Sequence, residues 1–330
     1  MKECSLNTSK LINNMTNNFG YPDFLYKVLA CEHYSGAKTK QDFSVTQFND
    51  PANMTLLKNR HKDEIVKDVS DLYAIILGVG FHLLCEETLG KEAMYITEER
   101  RFIEIGGKIV SGQFDLYIPE EKLLIDFKVT KASSYMYGTR QPQYDMQMNL
   151  NRYILQAHGL QVDKMQIVEL YRDFDKASVT RNSKYPLSAF NIIDCNFMTD
   201  AAIEHTLLQY IQDYNQISQL PDDKLPVCSS DDRWERDHKY AVMKHGNKRA
   251  IRVFDNQNEA NTYRDLNCNL EETYIEHRPA TPTRCLDWCE VNKYCPFYTA
   301  YMKKQENILK QEALNVSKEN TINYIKRDLF

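Results

Sequence analysis

The stretch Gly112-Gln-Phe-Asp115-Leu-Tyr-Ile-Pro-Glu-Glu-Lys-Leu-Leu-Ile-Asp126-Phe-Lys128 decides how this chain is read. Two strand-like runs, Lys108 to Ile118 and Lys122 to Thr130, meet at Pro119-Glu-Glu, the composition of a hairpin. A four-residue loop over 119–122 pairs Ile118 with Leu123 and brings Asp115 opposite Asp126. The same register puts Val110, Phe114, Leu116 and Ile118 beside Leu123, Ile125, Phe127 and Val129 on one apolar face. The other face carries Ser111, Gln113, Asp115, Tyr117, Asp126, Lys128 and Thr130. Directly opposed residues have Cβ atoms roughly 4.5–5.5 Å apart, so like charges there destabilise a hairpin unless something neutralises them. A divalent cation would do so. Hard carboxylate oxygens suit Mg²⁺ or Mn²⁺, and the carbonyl of Phe127 and water can complete the shell. Lys128 points to the side of Asp126, where its ammonium could hold an attacking water or offset transition-state charge. Together these are the parts of phosphodiester hydrolysis. A solvated salt-bridge surface is the plainer alternative, and a one-residue change in the turn would send Asp115 to the opposite face from Asp126.

Outward from the hairpin, a long helix is expected over Ser70 to Leu89 and a strand over Met94 to Ile105. Beyond it come a helix from Gln143 to His158, strands at Lys164 to Tyr171 and Phe190 to Cys195, and a helix from Ala201 to Ile217. That order predicts an α/β core over 44–219, after an N-terminal extension over 1–43 with a helix-like stretch from Tyr21 to His33. Pro, Asp and Ser near Leu220 to Ser230 mark the start of a C-terminal module over 220–330. In that module Tyr240 to Met243 and Arg249 to Phe254 flank the turn His245-Gly246-Asn247. A helix over Glu259 to Asn267, a cysteine triplet and a charged helix from Pro296 complete it.

At 330 residues with no tract of low complexity, the chain is long enough for two domains, which excludes collagen, coiled-coil arrays and bulk disorder. The longest apolar stretch, Tyr73 to Cys85, reads as too short to span a bilayer, and no secretory signal follows Met1, so a cytoplasmic protein is expected. Nine cysteines cannot all pair within one chain, and free thiols fit a reducing compartment. With a net charge of −5, nucleic-acid binding would need a local concentration of cations. Residues 233–252 supply one, with Arg233, Arg236, Lys239, Lys244, Lys248, Arg249 and Arg252 against Glu235 and Asp237. On a hairpin with Trp234, Tyr240 and His245 these could track a phosphate backbone, Lys244, Lys248, Arg249 and Arg252 being the candidate contacts; a merely solvated hairpin is the alternative.

Gly-Gln-Phe-Asp115 and Asp126-Phe-Lys128 match the second and third motifs of a known superfamily. The chain resembles the PD-(D/E)XK nucleases, in the RecB-like branch of CRISPR-associated exonucleases and phage relatives. That resemblance implies a restriction-endonuclease-like core, a mixed central sheet flanked by helices. In that branch a first-motif His joins the metal site, and Gly78-Val-Gly-Phe-His82 fits it, with Gly78 letting another element approach and Glu86 one turn later as a possible outer partner. A core histidine is the plainer reading of His82. A fourth motif, Gln followed four residues later by Tyr, is met at Gln147, while Asn151 and then Tyr153 stand where the Tyr is expected. Gln147 would position the lysine or the substrate. Ser44-Val-Thr, Val69-Ser-Asp71, Tyr171-Arg-Asp173 and Leu225-Pro-Val-Cys228 extend the likeness to phage members. An imidazole beside carboxylates is softer than Mg²⁺ prefers, so Mn²⁺ is expected to serve better.

Cys285, Cys289 and Cys295 fall within eleven residues, spacing at which intracellular cysteines share a metal; buried structural thiols are the alternative. The resemblance implies a four-iron four-sulfur cluster on three C-terminal cysteines and one upstream, with zinc as the other occupant. Cys228 is the preferred fourth ligand, ahead of Cys31 and Cys85. By the same resemblance the substrate is a DNA end or single strand cut exonucleolytically, in phage recombination, repair or spacer processing, beside a recombinase, helicase or single-strand-binding protein. A DNA-binding scaffold for such a partner and a structure-specific endonuclease are the rival functions.

Overall fold

A computed structural model describes residues 15–30, 41–138 and 140–311, and the chain divides into two compact units, Met1–Ser218 and Gln219–Phe330. In the first, β1 (Met15–Thr16), α1 (Asp23–Leu29), β2 (Phe43–Ser44), α2 (Ala52–Arg60) and β3 (Lys67–Asp68) lead into the long helix α3 (Tyr73–Leu89). The strands β4 (Ile96–Ile105), β5 (Lys108–Ile118) and β6 (Leu123–Thr130) follow as a meander. Then come α4 (Ala132–Tyr137), α5 (Gln141–Ala157), β7 (Lys164–Tyr171), α6 (Lys176–Arg181), β8 (Phe190–Asp194) and α7 (Asp200–Ile217). The expected α/β core is thus a mixed six-stranded sheet flanked by helices. Part of the expected extension is folded in the same unit, where β1 pairs in parallel with β3 as a separate two-stranded sheet.

Gly106 and Gly107 join β4 to β5, both at positive φ (57° and 69°), in the tight turn whose twist matches antiparallel strands. From Ile105↔Lys108 onward β4 occupies one edge of β5 along its length. The other edge is shared. β2 pairs with Val110 and Ser111, and β6 with Leu116, Tyr117 and Ile118 in the register expected from the sequence. Residues 112–115, between these partners, face a gap where no strand pairs. On the far side β6 runs parallel to β7 through eight pairs, with α5 as the crossover, and β8 closes the sheet antiparallel.

Both faces of the sheet are covered. Phe81, Cys85 and Leu89 of α3 pack on Leu116, Ile118, Leu123, Ile125 and Phe127. On the other face Tyr144, Met148 and Leu155 of α5 meet Phe114, Tyr117, Leu124 and Ile167, while Leu150 and Ile154 join Phe43, Val110 and the α7 residues Ile203, Leu207 and Ile211. This corrects the single apolar face expected for β5: Val110 and Phe114 face α5, whereas Leu116 and Ile118 face α3. The alternation changes phase at Asp115. Its cause lies across the ladder, where Glu98, the residue opposite Asp115, takes a left-handed φ of 49° and drops out of pairing between Thr97↔Leu116 and Glu99↔Phe114.

Helix α3 with its preceding turn, Val69–Leu89, is long and apolar enough to cross a membrane by length and composition, which corrects the reading of this stretch as too short. One side of it is nevertheless committed to the sheet. Gly78 is not the site of close approach expected from sequence, since a Cβ there would meet nothing within 4 Å.

In the second unit β9 (Glu235–Arg236) precedes β10 (Lys239–Lys244) and β11 (Arg252–Phe254), the expected hairpin pair. Helix α8 (Gln257–Asn267) leads to β12 (Thr273–Arg278), which pairs with the free edge of β10, and then to β13 (Thr281–Pro282), which pairs with β9. Helix α9 (Thr283–Asp287) carries Cys285, and residues 296–311 are helical.

The close approach in this fold is at Gly112, where a Cβ would lie 2.4 Å from Asn151 Oδ1 and 3.0 Å from Ile154 Cδ1 of α5. Asn151 is 2% exposed and has nowhere to retreat. Gly112→Ala is therefore expected to destabilise the chain by about 1–3 kcal/mol through overpacking, read as a lower urea midpoint at unchanged slope.

Candidate active site

The unpaired stretch of β5 is where the acidic side chains meet. Asp115 turns its carboxylate into the gap, and its Oδ2 accepts the Phe127 backbone N–H at 2.6 Å in place of a regular ladder bond. His82 arrives from α3. Its Nδ1 lies 3.0 Å from Glu98 Oε1 and 3.5 Å from Asp115 Oδ1, and its Nε2 lies 3.2 Å from the Phe127 carbonyl oxygen. Glu98 is held in turn by Gln113, whose Nε2 donates to Glu98 Oε2 at 2.7 Å, and Arg100 donates to Gln113 Oε1 at 2.6 Å. Ligand atoms of His82, Glu98 and Asp115 all lie within 4.8 Å of one another, the one such group among the described residues.

Asp126 approaches from β6. Gln147 Nε2 of α5 donates to its Oδ1 at 2.7 Å, and Lys128 Nζ lies 2.6 Å from its Oδ2. The lysine's approach is an ion pair by distance but lies outside hydrogen-bond geometry, so Oδ2 is buried without a hydrogen bond. That oxygen is buried with the Lys128 ammonium as its charged neighbour, and its remaining lone pairs are open to a cation ligand. The donor set of carboxylates, one imidazole and a carbonyl fits a divalent metal ion of the Mn²⁺ or Mg²⁺ kind.

Electrostatics point the same way. Burial, and then the charge of Asp126, push the Asp115 carboxyl well above the usual carboxylate range, against the opposing pull of His82 and Lys128. For His82, burial favours the neutral ring, but the Glu98 hydrogen bond and the charges of Asp115, Glu98 and Asp126 outweigh it and raise the imidazole to about 8. Without a cation the cluster therefore retains protons to limit its own repulsion, and binding one would displace them.

The fold thus gathers His82, Asp115, Asp126, Phe127, Lys128 and Gln147. Gln147 holds Asp126 rather than the lysine. Glu98 was not foreseen, and it rather than Glu86 joins the group. Asn151 reaches the unpaired stretch of β5, its Nδ2 3.5 Å from the Gln113 carbonyl, while Tyr153 packs among apolar residues of the Phe43 cluster.

In the second unit burial, and then the nearby thiols of Cys289, Cys228 and Cys295, push Cys285 up to about 11, with Arg233 opposing. The triplet and Cys228 therefore converge. Cys85 lies in the other unit against the sheet, and Cys31 is outside the described residues. In the basic hairpin Lys244 is bound to Glu272 at 2.6 Å, Lys239 to Asp255, and Arg252 stands over the rings of Phe254 and Tyr263, while Lys248 and Arg249 are exposed.

Because burial and the charge of Asp126 both disfavour an ionised Asp115 in the metal-free protein, Asp115→Asn is expected to raise its melting temperature. The gain should be about 2–4 °C, the shift that roughly 1 kcal/mol gives a domain of this size. Mn²⁺ should stabilise the wild type and leave this variant unmoved in a thermal-shift titration.

No family profile matches the chain, and no curated protein matches it. Among solved structures, SSO0001 matches with 22% identity over 60% of this chain and 87% of that one, at a TM-score of 0.43. A phage-related exonuclease from Haemophilus somnus 129PT matches with 15% identity over 64% of this chain and 92% of that one, at a TM-score of 0.28.

Proposed function

We propose that this chain is a metal-dependent DNA nuclease that hydrolyses phosphodiesters at ends or in single strands. The observation carrying the reading is the gap in the sheet where His82, Glu98 and Asp115 converge beside the buried, hydrogen-bond-deficient Oδ2 of Asp126. When bound there, a divalent cation supplies positive charge to a phosphoryl oxygen and acidifies water at neutral pH. The side chains supply the rest. Lys128 is held at Asp126 by charge, leaving its ammonium protons to orient a water or stabilise charge developing on the phosphate. Gln147 fixes the plane of the Asp126 carboxylate from the α5 side, and Glu98 fixes the His82 ring from the β4 side.

We assign Cys228, Cys285, Cys289 and Cys295 to one cofactor that closes the C-terminal unit on itself, an iron–sulfur cluster in preference to zinc. What supports the cluster is the arrangement of three C-terminal cysteines with one upstream.

Two measurements test these assignments. End-labelled single- and double-stranded DNA with Mn²⁺ should be degraded by the wild type, at least about 100-fold slower by Lys128→Ala, and not measurably by Asp126→Asn. Wild-type protein without Mn²⁺-dependent cleavage would sink the nuclease reading. Chain purified without oxygen should be brown with about four iron atoms, and Cys228→Ser should lose them; a colourless zinc protein would reverse the cofactor assignment.

A further inference from the structure

The candidate catalytic lysine lies two residues before the end of β6, roughly 7 Å at the rise of a strand. Ligands of open α/β sheets gather outside the carboxyl ends of parallel strands, and what stands at the ends of β6 and β7 is a surface the sequence did not single out. Helix α4 leaves β6 there, fixed by Ala132 N–H on Asp173 Oδ1 at 2.7 Å and by Ser134 Oγ on Glu169 Oε1 at 3.2 Å. Glu169 is the β7 neighbour of Lys128 and is itself clamped by the hydroxyls of Tyr144 and Tyr171. The loop after β7 joins the same surface, since Asn182 at the end of α6 contacts Met136 Sδ of α4 at 3.4 Å.

This surface combines exposed rings with cations. Tyr137 is 74% exposed and Tyr135 45%, on a helix anchored beside the candidate lysine. Residues 131–140 and 172–185 hold Lys131, Arg140, Arg172, Lys176, Arg181 and Lys184 against Asp173 and Asp175 in a chain of net charge −5. Both aspartates are occupied locally, Asp173 by Ala132 N–H and Asp175 by the first N–H groups of α6. The ammonium groups of Lys131, Lys176 and Lys184 make no ion pair among the described residues.

The geometry points to this α4–α6 surface as the seat of the single-stranded segment of the substrate: bases stack on Tyr137, and phosphates lie along Lys131, Lys176 and Lys184, leading toward Lys128. Single-stranded nucleic acid is the partner that uses both features at once, because its bases offer π faces and its backbone a regular row of charge. A duplex keeps its bases stacked inside and would use the lysines alone. The inference assigns the surface that holds the single-stranded substrate of the proposed nuclease and so rests on that reading, but binding can be measured without turnover.

The test is fluorescence anisotropy of the full chain in EDTA, with a labelled single strand and a duplex of the same sequence. Tyr137→Ala is expected to weaken single-strand binding about 5-fold or more, the low end for one stacked base, while duplex binding holds. Tyr137→Phe should retain the affinity, and Lys176→Gln with Lys184→Gln should flatten the salt dependence by roughly 0.7 per lysine. Unchanged single-strand affinity in Tyr137→Ala, or an equal loss on duplex, overturns the inference. If this binding pattern holds and Mn²⁺ yields no cleavage, the surface stands and the catalytic reading falls instead.

Discussion

A strand has two hydrogen-bonding edges, and β5 divides one of them between two partners that do not meet. β2 takes its beginning and β6 its end, so residues 112–115 are left with backbone groups that must find other partners. The chain meets that demand with side chains. Asn151 approaches the Gln113 carbonyl from α5, and the Asp115 carboxylate accepts the Phe127 N–H of β6 that the gap leaves without a ladder partner. The approach of α5 requires a residue without Cβ at 112, so the helix that carries Gln147 comes close because Gly112 permits it. Site and fold therefore share one constraint: the opening that exposes the carboxylates also fixes which residues surround it.

The opening further explains how a site can draw on both layers of helices. In an unbroken strand Asp115 would face one layer only. At the phase change its carboxylate meets His82 from the α3 side, while Asp126 on the neighbouring strand meets Gln147 from the α5 side. The left-handed Glu98 sits across from this point, and a non-glycine residue in that conformation persists only where its surroundings hold it. Gln113 and His82 do so through its two carboxylate oxygens.

Much of this was legible in the sequence. The β5–β6 register followed from Pro119 to Lys122 alone, because turn length sets which residues oppose. His82, Lys128 and Gln147, singled out by the motif spacing, lie beside Asp115 or Asp126 in the folded chain. Glu98 was missed although its signal was present: Gly106-Gly107 is a two-residue turn, and counting back from Ile105↔Lys108 places Glu98 opposite Asp115. What no local pattern carries is the break in alternation. Strict period two predicts one apolar face for β5, and that period fails opposite the left-handed Glu98, in the stretch that neither β2 nor β6 pairs.

The basic hairpin shows the converse limit. Counting cations along 233–252 gave the strongest positive run in the chain, yet Lys244, Lys239 and Arg252 are each engaged by Glu272, Asp255 or aromatic rings. Net charge along a sequence measures supply, whereas a binding surface depends on what remains after folding has matched charges across strands. The loops at the carboxyl ends of β6 and β7 have fewer cations, but their aspartates are consumed by backbone N–H groups within the same loops. Acids that cap local turns fix the lysines' surroundings without holding the lysines themselves. A weaker run in sequence thus becomes the more open surface in three dimensions, next to the strand that carries Asp126 and Lys128.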